Sequence, residues 1–89
     1  MELNDAQFDI LDQLYFVEPF NRIVEDTGLS PAVVKDELRN LIAMRYVQVM
    51  RFDAGVQDFV RSTMYDADNM NDYAYLATKE GLLKHSGRR

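Results

Sequence analysis

Apolar and polar positions alternate along this chain in three distinct rhythms, and the clearest lies between Phe20 and Val47. Val34, Leu38, Leu41 and Ile42 recur at i, i+4, i+7 and i+8, one apolar helical stripe. Upstream, Ile23 and Val24 provide the packing face of a shorter helix that breaks at Thr27-Gly28. Gly28 suits a left-handed helix exit, Leu29 reaches for the core, Ser30 caps the next helix and Pro31 fits its first turn. Leu29 and Val34 stand at the positions of a hydrophobic staple. The pattern predicts a helix-turn-helix, with Ala32, Val33, Lys35, Asp36, Arg39 and Asn40 on the outward face of its second helix.

The same rhythm predicts a first helix from Asp5. Asn4 is its cap, Gln7 completes a capping box, and Leu3 and Phe8 form a staple. Phe8, Leu11, Leu14 and Tyr15 make its buried stripe beside Ile10, Asp5, Asp9 and Asp12 face solvent, and Pro19 ends it. Phe16, Val17 and Phe20 are expected to close the core rather than to form a dimer contact. Tyr46 to Phe52 alternates in the rhythm of a strand, and Asp53-Ala54-Gly55 signals a turn. Tyr73 to Ala77 reads as a returning strand. Thr78 caps a last helix through about His85, with Leu82 and Leu83 inward; Gly81 inside it costs about 1 kcal/mol relative to alanine. Ser86 to Arg89 is expected to fray.

These segments together resemble the winged helix-turn-helix domains of prokaryotic transcriptional regulators. The resemblance rests on Ile23-Val24-Glu25-Asp26-Thr27-Gly28-Leu29-Ser30-Pro31, on Val34, Leu38 and Leu41, on Tyr46-Val47, and on Tyr75-Leu76-Ala77-Thr78-Lys79-Glu80-Gly81. It implies an α+β winged helix: a three-helix helix-turn-helix core, a β-hairpin wing and a C-terminal helix in a single domain spanning 1–89. Short-winged members return at once after the first wing strand. Here about seventeen residues separate Gly55 from Tyr73, and they are expected to form a long wing with a strand or one helical turn.

Composition narrows the function classes. The 89 residues suffice for one modest core, the absence of cysteine excludes disulfides and thiol chemistry, and no apolar run is long enough for a signal peptide or membrane span, so a cytoplasmic protein is expected. Catalytic signatures are missing. His85, the only histidine, reads as a surface residue, and the four glycines form no phosphate loop. Asp66 to Asp72 has the acids of a calcium loop but carries Met70 where an oxygen ligand belongs, so it reads as a solvated acidic turn. Met44 and Met50 read as core filler. No enzyme activity, cofactor or metal is expected.

The net charge of −5 argues against a general nucleic-acid binder. Its distribution modifies that conclusion, since residues 1–26 hold seven acids and one base, 27–52 two acids and four bases, and 53–89 six acids and five bases. The family resemblance makes the helix from Pro31 to Met44 a recognition helix for double-stranded DNA, with Ser30, Ala32, Val33, Lys35, Asp36 and Arg39 at the interface and Arg61 from the wing. Arg39 suits guanine or phosphate, Lys35 phosphate, and Ala32 and Val33 thymine methyls. Asp36 and Glu37 oppose that role, and Asp36 has a local alternative partner in Arg39. A DNA-binding transcriptional regulator acting as a homodimer is the first expectation. The alternative is a winged-helix adaptor that binds protein through its acidic wing or first helix.

Overall fold

Residues 2–88 are described by a computed structural model. Asn4 caps α1 (Asp5–Asp12) by accepting from the Gln7 amide at 2.7 Å, while the Gln7 side chain returns to the Asn4 amide at 3.1 Å. The helix stops well before Pro19, because the amides of Gln13 and Leu14 turn back to Ile10 and Leu11 and tighten the last turn. Pro19 instead belongs to a two-residue strand, β1 (Glu18–Pro19), at a sheet edge where its missing N–H costs nothing. Helices α2 (Phe20–Thr27) and α3 (Pro31–Ala43) follow.

Strand β2 (Val47–Asp53) then turns directly into β3 (Asp58–Ser62), its antiparallel neighbour from Val49–Ser62 to Asp53–Asp58. The return is therefore immediate, against the expectation of a delayed one. A 3-10 segment, Ala67–Asp72, leads into β4 (Ala74–Ala77), which pairs with the other edge of β2 and with β1. The sheet order is β1-β4-β2-β3. Helix α4 (Lys79–Arg88) runs past the expected end at His85. The described residues thus form an α+β domain of four α-helices, one 3-10 segment and a four-stranded antiparallel sheet.

One sheet face, carrying Val47, Val49, Tyr75 and Ala77, meets Ile10, Leu11 and Leu14 of the first helical region, Ile23 of α2, and Val34, Leu38 and Leu41 of α3 in a single core. The insertion contributes to it as well. Met70 is buried, and the Tyr75 hydroxyl donates to the Met70 carbonyl at 2.6 Å. Burial, foremost, pushes the Tyr75 phenol well above its ordinary value of 10.0, so it remains a neutral donor. Other expectations fail at the helix edges. Phe16 and Leu83 are exposed and Tyr15 is 45% exposed, whereas Phe20 is buried as expected. Ser86 to Arg88 are helical rather than frayed, with Arg88 held by the Asn4 carbonyl and the Asp5 carboxylate; Arg89 lies outside the described residues.

Among the glycines, the costliest to alter is Gly81. An added Cβ would stand 2.1 Å from the Tyr46 carbonyl oxygen, and that oxygen is fixed by accepting the Thr78 amide at 3.0 Å. At Gly28 the space is open and only the left-handed φ of 72° resists a side chain. Gly81→Ala is expected to lower unfolding free energy by about 3 kcal/mol through overpacking, and Gly28→Ala by about 1–2 kcal/mol through backbone strain. Urea unfolding of both variants checks the order; equal losses would mean that Tyr46 moves aside.

Candidate nucleic-acid interface on the third helix

The turn before α3 is built by local hydrogen bonds. Gly28 closes α2 with its amide on Val24, Thr27 Oγ1 donates to the Ile23 carbonyl at 2.7 Å, and the Leu29 amide donates to Thr27 Oγ1. Ser30 Oγ then accepts the Val33 amide at 3.2 Å. Ser30, expected at the interface, is therefore the cap that orients α3. With Val34, Leu38 and Leu41 buried, Ala32, Val33, Asp36 and Arg39 are left exposed as a strip along the helix.

Glu37 is not part of that strip. Its carboxylate accepts from Asn4 Nδ2 at 2.8 Å, Gln7 Nε2 at 3.2 Å and Asn40 Nδ2 at 2.9 Å, tying α3 to the start of α1. Desolvation works to raise its pKa, but the bonds from Asn40, Asn4 and Gln7 outweigh it and hold the carboxyl below the usual 4.5. Glu37 and Asn40 are thus structural partners, not free surface groups. Asp36 and Arg39 form no ion pair with each other, so the local pairing that the sequence offers as an alternative is not made.

The start of α3 has an acidic neighbour. Ala32 and Lys35 border a groove of about 420 Å³ whose far wall is Asp68, Met70 and Asn71 of the 3-10 segment. Asp66 caps that segment: its carboxylate accepts from the Asp68 amide and from Asn69. These bonds, first the one from Asp68 and then the one from Asn69, with the Lys35 charge a weaker influence, hold Asp66 below 3.8. The acidic turn expected from sequence is present, placed beside the helix end that the resemblance points at a DNA groove.

The cations lie farther along. Among the described residues, Arg22 pairs with Asp26 and Arg88 with Asp5, while Arg39, Arg45, Arg51 and Arg61 form no ion pair. Arg51 falls on the strand face of Val47 and Val49, which carries the helices. Arg61, opposite Met50, falls by register on the other face, so the two hairpin arginines diverge. Of the seven residues expected at one interface, the exposed strip joins Ala32, Val33, Asp36 and Arg39; Lys35 is half-buried beside the acidic turn, Ser30 is occupied as a cap, and Arg61 stands apart.

Sequence reasoning missed His85. It is fully buried, stacked on Phe8 with ring centres 4.4 Å apart, its Nδ1 is 2.9 Å from the Tyr15 hydroxyl, and its Nε2 is 3.1 Å from an Asp12 carboxylate oxygen. Arg88 covers Phe8 at 4.5 Å. The cluster joins α4 to α1. Its spacing of some seventy residues leaves no local pattern from which to infer it.

Among the described residues, no group of three or more His, Asp or Glu side chains is arranged to hold a metal, and no helix is long and apolar enough to cross a membrane. Comparison of the chain with protein-family models, curated proteins and solved structures finds no match.

The Glu37 tie carries a pH signature. A depressed folded-state pKa gives stability that is complete above the ordinary value of 4.5 and is lost as pH falls through the lower folded value. Urea unfolding of the wild type is expected to weaken across that acidic window. Glu37→Gln should show a smaller acid-side fall and, at neutral pH, a loss of about 1 kcal/mol, limited by solvent exposure. Identical acid limbs for the two proteins would remove Glu37 from the account.

Proposed function

We propose that the chain is a winged helix-turn-helix domain that binds double-stranded DNA as a small transcriptional regulator, with α3 as its recognition helix. The helix-turn-helix built around Gly28 and Ser30, the β2–β3 hairpin and the terminal helix α4 support the fold reading. The observation that carries the functional reading is the difference among the arginines: Arg22 and Arg88 are paired with carboxylates, while Arg39 on α3, Arg45 in the turn after it and Arg51 on β2 form no ion pair among the described residues and are left for an outside anion. Phosphate contacts supply most of non-specific DNA affinity, and unpaired guanidiniums are suited to make them.

The contact is centred on the later half of α3 and the helix-bearing face of the hairpin, away from Asp66 and Asp68. Withdrawal of Glu37 toward α1 removes one of the two acids that sequence sets on the recognition face, leaving Asp36 there.

One observation favours a second reading, a protein-binding adaptor. The groove between α3 and the 3-10 segment is lined by Phe20, Val24, Pro31 and Met70 and bordered by Asp68 and Lys35, an apolar floor between opposite charges that suits a protein side chain better than a phosphate backbone.

Fluorescence anisotropy of a mixed-sequence duplex separates the two. The first reading expects low-salt binding, with affinity falling as salt rises, and a salt slope reduced by about 2 in Arg39→Ala/Arg51→Ala. It also expects tighter binding in Asp66→Asn/Asp68→Asn, where the acids beside α3 are removed. A flat low-salt titration at protein concentrations above roughly 10⁻⁴ M, where non-specific contacts register, would overturn it in favour of the adaptor.

A further inference from the structure

The hairpin has a face and an edge that the DNA reading leaves unused. β3 is the outermost strand of the sheet, five residues long and without proline. The opposite edge, β1, is two residues ended by Pro19 and is thereby blunted. Exposed apolar side chains also gather at β3: Phe52, Val56, Phe59 and Met64 are four of the eight large hydrophobic residues exposed among the described residues, all within 52–64. Phe52 and Phe59 pack edge-on across the hairpin at 5.6 Å. A strand edge at which the Phe59 amide is held only by the adjacent Asp58 carboxylate, flanked by such a cluster, is suited to accept another strand.

We propose that the occupant is a second copy of this chain, whose β3 pairs antiparallel with the first about a two-fold axis at Val60. The strand's own sequence selects this partner and this register. Residues directly opposed in an antiparallel pair share a sheet face, so only registers that shift by whole pleats are open. The register centred on Val60 opposes Asp58 to Ser62, Phe59 to Arg61 and Val60 to itself, using the whole strand. Each Arg61, which has no ion pair among the described residues, then meets a phenylalanine ring of the other copy, a favourable cation–π pairing, while Asp58, which accepts the Phe59 amide, lies opposite Ser62, whose hydroxyl donates to the Met64 carbonyl, so no like charges are opposed there. Centring on Phe59 engages only residues 58–60. Centring on Arg61 opposes two like charges. The self-paired sheet would run through both subunits, and Arg61 would belong to the subunit interface rather than to a phosphate contact.

Sedimentation velocity of the full chain, from micromolar to near-millimolar protein and without nucleic acid, tests this independently of DNA binding. The wild type is expected to show reversible monomer–dimer exchange. Phe59→Arg opposes two like charges in the proposed register and should weaken association at least tenfold. Phe59→Arg/Arg61→Glu places opposite charges across the same positions and should restore it. A wild type that stays monomeric, a Phe59→Arg variant that associates as before, or a double variant as weak as the single would each overturn the proposal. Amide hydrogen exchange of the wild type supplies a measurement that needs no variant: protection at Phe59 to Arg61 should rise with protein concentration, and concentration-independent exchange there would also overturn it.

Discussion

The backbone around Tyr46 is the point on which the rest of the fold depends. Its amide donates to the Leu41 carbonyl at the end of α3, and its carbonyl accepts the Thr78 amide where β4 ends and α4 begins. Thr78 Oγ1 donates to the neighbouring Arg45 carbonyl at 2.7 Å and accepts the Gly81 amide at 3.0 Å. Arg45 itself takes a positive φ of 64° to make the bend. Four elements therefore meet at two residues, and α4 comes so close that it must present a glycine. That contact sets the direction in which α3 leaves the core and the point at which β2 begins, hence the position of the hairpin relative to the helix.

Elements specified by neighbours in sequence were legible without coordinates. The capping box of Asn4 and Gln7, the Gly28 exit, the Ser30 cap and the 34-38-41 stripe each act within a few residues, so local chemistry suffices to place them. What escaped was settled across the fold. Gly81 reads as a mildly unfavourable helix residue until Tyr46 lies against it, and His85 reads as a surface residue until α1 supplies Phe8, Asp12 and Tyr15 around it. Glu37 looks like one more solvated acid because its partners Asn4 and Gln7 lie thirty or more residues away. Strand β3 was obscured by a different cause: its apolar residues satisfy both helical and strand periodicities, and pairing with β2 decides between them.

The candidate interface was legible as a set of residues but not as a surface. The outward strip of α3 follows from helical geometry, and the exposed Ala32, Val33, Asp36 and Arg39 lie along it. Geometry redistributes the charges around that strip. Glu37 turns to α1, Lys35 settles beside the 3-10 segment, and the two hairpin arginines part to opposite faces. A count of acids and bases by segment cannot reveal this, because a charge matters to a partner only when it is both exposed and unpaired.

The 3-10 segment carries the strongest constraint on how α3 can meet a partner. It is not a loose acidic wing that an approaching phosphate backbone can push aside, since Met70 is buried under Tyr75 and the Tyr75 hydroxyl holds the Met70 carbonyl. The Asp66 amide is held as well, by the Tyr73 hydroxyl at 2.9 Å. Moving Asp66 and Asp68 away from the start of α3 would mean withdrawing a core side chain and leaving a buried phenol without its acceptor, both costly steps. The acids are therefore a fixed feature of that end of the helix. An anionic partner would meet these fixed acids at the Ala32 end and the unpaired Arg39 farther along, and a partner seated over the Ala32 end would have to match an apolar groove bordered by both Asp68 and Lys35.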